Sequence, residues 1–265
     1  MKRYVKLVIS LVWWSGGRLA GSIRGKKDER LTILYYHAVR PEQAAAFQRQ
    51  VRMAKASATP ERADYLAPPD GTRRVAMTFD DAFMSVIDHA LPILAAEQFP
   101  CTIFAPAGQL GAHPAWEMEV SASDRGELIA TAAVLRDLPA ALVEIGAHSV
   151  SHPRLTRIPP EQARQEIQTA KTLLESETGR TIAGFAFPYG DFNAGTLQLC
   201  EEAGYRFAYS IGPGSVETSD ASLLRPRVAA DPDDPPLAFW LKLRGGYEWM
   251  PFASRLKRRL RRAAR

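Results

Sequence analysis

The sequence predicts an α/β fold in which parallel strands close, or nearly close, into a barrel. Three observations carry this. From residue 31 to residue 211, short apolar runs alternate with stretches of helical periodicity, the rhythm of a parallel sheet with crossover helices. The residues with the most chemistry, Asp80 and Asp81 and then His148 and His152, sit just after strand-like runs. Loops converge at that end of a barrel. The chain has 265 residues, 46% hydrophobic and 24% charged, which suffices for one large domain with its own core.

Taken in order, the N-terminus sets Lys2, Arg3 and Lys6 before an apolar run from Leu7 to Trp14. That run is too short for an ordinary membrane span and resembles a leader peptide. Arg18 spoils the small-residue cleavage pattern before Ala20, and the Trp13-Trp14 pair suits a membrane interface. We read an anchor that stays on the chain; a removed leader and a buried first helix are the competing readings. Residues 31–37 form the first strand of the body. Residues 41–72 supply one helix and a long connection. After a Pro/Gly turn at 68–71, residues 73–77 form a buried strand.

Residues 85–98 carry Val86, Ile87, Ala90, Leu91, Leu94 and Ala95 at helical spacing, with Pro92 as a kink or boundary. A strand follows at 101–105. Residues 108–125, including His113 and Trp116, make a loop over or beside the site. Residues 127–136 read as helix and 141–147 as strand. Pro159-Pro160-Glu161 opens a helix closed at Gly179, with Ile167, Ala170, Leu173 and Leu174 inward. Then come a strand at 182–187, a helix at 197–203 and a strand at 207–211. Cys101 and Cys200 fall within these elements, as packing residues and not a disulfide.

Net charge is +5, unevenly spread. Residues 1–30 carry eight Lys/Arg against two acids and residues 252–265 seven against none, leaving the middle at −8. Phe252, Leu256 and Leu260 recur among the arginines of the tail, a basic amphipathic helix suited to an anionic membrane. No nucleic-acid motif accompanies it. The chain divides into a basic, apolar segment (1–30), a body (31–236) and an aromatic, basic tail (237–265).

Two adjacent carboxylates after an apolar strand are costly unless a cation meets them. Neighbours on an extended backbone point to opposite faces, so a turn past the strand must aim both into one cavity. The competing reading makes Asp81 a helix cap with Asp80 exposed beside it. His148 and His152 are four apart, which on a helix would share a face. Gly146 before and Pro153 after argue for a strand-end loop instead. Two imidazoles and one carboxylate, with water completing the shell, suit zinc or a similar divalent metal.

The segments Thr78-Phe79-Asp80-Asp81, His148-Ser149-Val150-Ser151-His152 and Phe185-Ala186-Phe187-Pro188-Tyr189-Gly190 resemble the first three motifs of the polysaccharide deacetylase (NodB-homology) family of carbohydrate esterases. The resemblance spans roughly residues 31–231. It implies a distorted (β/α)7 barrel and hydrolysis of an N-acyl group, N-acetyl in the first place, from an amino sugar in an envelope polysaccharide or a lipid-linked glycan. It implies Asp81, His148 and His152 as ligands of a divalent metal, Zn2+ foremost with Co2+, Ni2+ or Mn2+ as substitutes, and Asp80 as general base. It puts the oxyanion donor at the Tyr189 N–H and the substrate against Phe187, Pro188, Tyr189 and Gly190.

The sequence departs from the family pattern twice. Ala186 stands where an arginine often orients the catalytic aspartate. Residues 223–228 (Leu-Leu-Arg-Pro-Arg-Val) replace the Leu-x-His that supplies the general acid. Arg227 is the candidate substitute for the first and His37, at the end of a Tyr-Tyr-His strand, for the second. The alternative is a catalytically weakened fold serving as a carbohydrate-binding or scaffold module.

Overall fold

The computed structural model describes residues 3–23, 29–118 and 123–253. Helix α1 (Arg3–Ile23) precedes β1 (Arg30–Tyr36) and α2 (Ala44–Ser57). Strands β2 (Thr59–Pro60) and β3 (Arg74–Phe79) lead to α3 (Leu91–Ala96), β4 (Cys101–Ala105), α4 (Ala132–Asp137) and β5 (Val143–Ala147). Then follow α5 (Pro160–Thr178), β6 (Gly184–Ala186), α6 (Ala194–Glu202) and β7 (Phe207–Tyr209). Short strands β8 (Val216–Glu217), β9 (Leu224–Arg225) and β10 (Val228–Ala229) and helix α7 (Pro236–Leu243) complete the order.

The sheet runs β10-β1-β3-β4-β5-β6-β7-β9 with every pairing parallel; β2 also pairs with β3, and β8 runs antiparallel to β1. Only Pro226 and Arg227 separate β9 at one end of the sheet from β10 at the other, so the barrel nearly closes. This is the expected distorted barrel.

Alternation along each strand divides the core into two. Leu31, Ile33, Ala76, Phe104, Phe207 and Tyr209 fill the barrel, while Leu34, Tyr36, Met77, Phe79, Ile103 and Phe185 face the helices. Gly146 is required by this filling: a Cβ there would stand 2.4 Å from the Phe104 ring. Cys101 and Cys200 are buried and free.

Several elements differ from expectation. The helix read over 127–136 begins only at α4, where the Thr131 hydroxyl accepts from Val134 N; Ile129 instead bridges Phe83 in an antiparallel pair. Before Pro92 the backbone forms a π-helical turn, Val86–Ala90, which absorbs the proline's missing N–H ahead of α3. On α5, Leu174 is buried but Leu173 is exposed, and the inward row contains Glu166. Gly179 closes α5 in the left-handed conformation, as expected.

Helix α1 rests on α7. The Trp249 indole N–H donates to Ser10 Oγ at 2.9 Å, and Trp14 meets Trp240 edge-on at 4.7 Å. Phe239, Leu241 and Leu243, assigned to the tail by the sequence, are buried as part of the body. Among the described residues, no helix is long and apolar enough to cross a membrane. The basic amphipathic repeat through Leu256 and Leu260 lies outside them.

Candidate metal centre and active site

Asp80 continues the inward row of β3, after Ala76 and Thr78, and its N–H still donates to the Tyr36 carbonyl as a strand residue would. The backbone then turns left-handed, at φ 69° for Asp81 and 52° for Ala82. That turn aims a second carboxylate into the same cavity. Both acids are buried and no helix starts at Ala82, which removes the capping reading.

His148 extends β5, with its N–H on the Ala105 carbonyl. Its Nδ1–H donates to the Ala186 carbonyl at 2.8 Å, which leaves the Nε2 lone pair for the cavity. Residue 186 thus contributes through its backbone, where its alanine side chain offers nothing. The loop after β5 brings His152 back by two left-handed residues, Ser149 (φ 65°) and His152 (φ 60°), with the His152 N–H on Ser149 Oγ. The two histidines share a strand-end loop and not a helix face.

From α5, Glu166 accepts the N–H groups of Val150 and Ser151 at 2.8 Å and the Ser151 hydroxyl at 2.6 Å. A carboxylate on an otherwise apolar helix face was the sequence signal for this support. The His152 ring stacks on Trp116 at 4.3 Å, so the loop read over the site does reach it; His113 turns away to the Glu127 carbonyl. Trp116 and Glu166 escaped the sequence reading as site residues.

His148 Nε2 and His152 Nε2 lie 3.6 and 3.5 Å from Asp81 Oδ1, and one ligand atom from each residue falls within 4.8 Å of the others. These gaps exceed a hydrogen bond. They leave room for a cation between the carboxylate oxygen and the two ring nitrogens. Asp81 Oδ1 is buried and has no hydrogen-bond partner. Burial, then the Asp80 charge, pushes the Asp81 carboxyl well up, while burial lowers His148 to about 4 and His152 to about 2. Neutral imidazoles with inward lone pairs beside an uncompensated carboxylate form a cavity completed by a cation. The donor set fits a divalent metal.

Arg227, fully buried in the link between β9 and β10, forks onto Asp80 with bonds of 2.6 and 2.9 Å. It also donates to Thr78 Oγ1 and the Ser210 carbonyl. Burial pushes Asp80 up, but Arg227 and His148 more than offset this and hold it at about 2. Asp80 is therefore ionised at neutral pH.

The third motif forms a tight turn, Pro188–Gly190, with Tyr189 left-handed at φ 57°. Its ring meets His152 edge-on at 4.7 Å, lies beneath the Arg154 guanidinium at 3.9 Å, and its hydroxyl donates to the Glu117 carbonyl. Gly190 (φ 62°) is needed because a Cβ would stand 2.1 Å from Ile211. Phe187, assigned to substrate, is instead fully buried between Phe185 and Phe192, and Pro188 is buried as well. The apolar core claims both side chains, so the turn meets the cleft through Tyr189 and Gly190. His37 is exposed at the end of β1, edge-on to Tyr35 at 5.8 Å, and a proton on it would act on Asp80 and both imidazoles.

Left-handed non-glycine residues are rare, and five of the six among the described residues lie in these loops. Strain concentrated at one cavity marks it as the working part of the fold.

The sequence model of the polysaccharide deacetylase family matches residues 67–208. YxkH of Bacillus subtilis (strain 168) is 22% identical over 223 residues, covering 79% of this chain and 75% of its own. The structure of IcaB from Ammonifex degensii superposes with a TM-score of 0.68 at 22% identity, covering 83% of this chain and 97% of that one. The Streptococcus pyogenes deacetylase PplD, solved with acetate, gives 0.65 at 20% identity, over 81% and 98%. At such identities these structures speak to the fold. The family match extends over more than half the sequence and includes the aspartates, both histidines and the Pro-Tyr-Gly turn; the chain belongs to the polysaccharide deacetylase family, hydrolases of linear amide C–N bonds.

Proposed function

We propose that this protein removes an N-acyl group, acetyl foremost, from an amino sugar of an envelope polysaccharide or lipid-linked glycan. The observation that carries the reading is the joining of two units in one buried cavity: the Asp81, His148 and His152 cluster and the Asp80–Arg227 pair. Asp81 Oδ1 and the two imidazole Nε2 atoms would hold a divalent cation, and one oxygen with two nitrogens suits zinc, with cobalt, nickel or manganese as substitutes. When bound, such a cation polarises the amide carbonyl and lowers the pKa of water toward about 7.

The remaining work belongs to side chains. Asp80, ionised and held by the Arg227 fork, takes a proton from the attacking water. The Tyr189 N–H, raised into the cleft by a left-handed turn, donates to the oxygen that gains negative charge. His37 stands at the rim to protonate the departing amine, in place of the missing Leu-x-His histidine. Trp116 and Tyr189 line the mouth with faces on which a sugar ring can rest. Products are acetate and the free amino sugar.

The exposed Val5, Val8, Val12 and Trp13 of α1, with the basic ends, support attachment to an anionic membrane surface at the cell envelope. Metal content and acetate release from N-acetylated chitooligosaccharide, with Asp80→Asn as control, test the reading. One divalent ion per chain with release abolished by Asp80→Asn supports it. Metal bound without acetate release from any N-acetylated saccharide would leave a carbohydrate-binding module.

A further inference from the structure

A cavity of about 490 Å3 lies between the barrel rim and helices α1 and α7. Tyr35, Val228 and Ala229 line it from the barrel side, and Leu7 and Ala238 from the helices. Its size falls in the range of small-molecule sites. Two of its walls are shared with the candidate active site. The Arg227 guanidinium lies over the Tyr35 ring, 4.9 Å from its centre, and the His37 ring meets that of Tyr35 edge-on at 5.8 Å. Ile211, a lining residue, packs against Gly190 of the third motif. The cavity therefore adjoins residues that pack on the candidate active site.

It leads away toward α1, whose outward side exposes Val5, Val8 and Val12. Charge on its walls is cationic on balance. Asp234 and Lys242 form an ion pair, and Lys6 adds a positive charge. A soluble polymer of sugars brings nothing apolar to fill such a space. A sugar carried on a hydrocarbon chain through a phosphate does: head over the metal cluster, phosphate by Lys6, first hydrocarbon units in the cavity, the rest along α1 and into a membrane.

We propose that this cavity binds the proximal hydrocarbon chain of a lipid-phosphate-linked amino sugar, making the lipid-linked form the substrate class. The proposal rests on the deacetylase reading above. Each buried methylene raises affinity about four-fold, so three give roughly 60-fold.

The test is equilibrium dialysis of the full-length protein, zinc-loaded, against radiolabelled farnesyl phosphate below its micellar concentration, with inorganic phosphate as the comparison. Farnesyl phosphate should bind at least about 50-fold more tightly than phosphate. Ala238→Phe, which fills the cavity, should weaken it about ten-fold or more while zinc stoichiometry and circular dichroism stay unchanged. Leu7→Trp does the same from α1, should Ala238→Phe fail to fold. Lys6→Glu should weaken farnesyl phosphate but not farnesol. Affinity equal to that of phosphate, or binding that both filling variants leave intact, overturns the proposal. Lipid binding of the predicted kind without acetate release from a polyprenyl-phosphate-linked N-acetylamino sugar would instead sink the catalytic reading and leave the cavity standing as a lipid site.

Discussion

Arg227→Met is the most informative single change. The guanidinium has no solvent exposure and makes four hydrogen bonds, two of them the fork onto Asp80. Methionine keeps much of the volume between Tyr35 and Phe104 but leaves a buried carboxylate without its counter-charge. Breaking a buried pair from one side costs about 3–5 kcal/mol. In a chain of this size that lowers Tm by roughly 6–20 °C. Freed of its fork, Asp80 also loses its aim, and misplacement by an ångström costs about 100-fold in rate. Arg227→Lys retains charge without the bidentate geometry and should fall between the two. The assay pairs thermal unfolding with acetate release, for each single variant and for Asp80→Asn/Arg227→Met. Since the penalty is an orphaned charge, the double variant should be more stable than Arg227→Met alone. A double variant no more stable than the single one, or Arg227→Met with wild-type turnover, would refute the reasoning.

Other outcomes follow from the same geometry. Glu166→Ala frees three donors of the histidine loop and should weaken zinc about 10- to 100-fold in a chelator competition, with the fold intact by circular dichroism. Gly190→Ala forces a Cβ against Ile211 at a left-handed position and should cost roughly 1–3 kcal/mol in urea unfolding. Glu144, inside the barrel and accepting from Thr102 Oγ1, is pushed by burial and by Asp64 from 4.5 to about 7. Between those values the folded protein holds a proton that the unfolded chain has released. Its contribution is complete below pH 4.5 and falls as pH rises to 7, by up to about 3 kcal/mol. Glu144→Gln should flatten that part of the stability–pH curve and raise Tm at pH 8; an unchanged slope would remove Glu144 as its source.

The cluster was legible because its members adjoin strand ends with strong apolar runs: Val75 to Phe79 before the aspartates, Val143 to Ala147 before His148. Arg227 was legible through a gap, since Ala186 left an aspartate without its usual partner. Backbone direction was not. Nothing in the sequence announces a left-handed conformation at Asp81, Ser149, His152 or Tyr189: Asp and His enter that region more often than most residues, but still in only a small fraction of cases. Strand lengths were overestimated at Gly184–Ala186 and Phe207–Tyr209, where apolar residues continue past the last ladder bond into the core. Phe187 looked like a ligand-facing aromatic because its neighbours carry the motif, yet strand alternation sends its ring outward to Phe185 and Phe192. The pairing of α1 with α7 joins segments more than two hundred residues apart, beyond the reach of any local pattern.

Cobalt titration of metal-stripped protein, followed by visible absorption, addresses the core of the account. One equivalent should produce the intense bands of a four- or five-coordinate centre, absent from Asp81→Ala and His148→Ala and retained in Asp80→Asn. No spectral change on adding cobalt, or bands that survive both ligand substitutions, would mean that this cluster does not hold the cation.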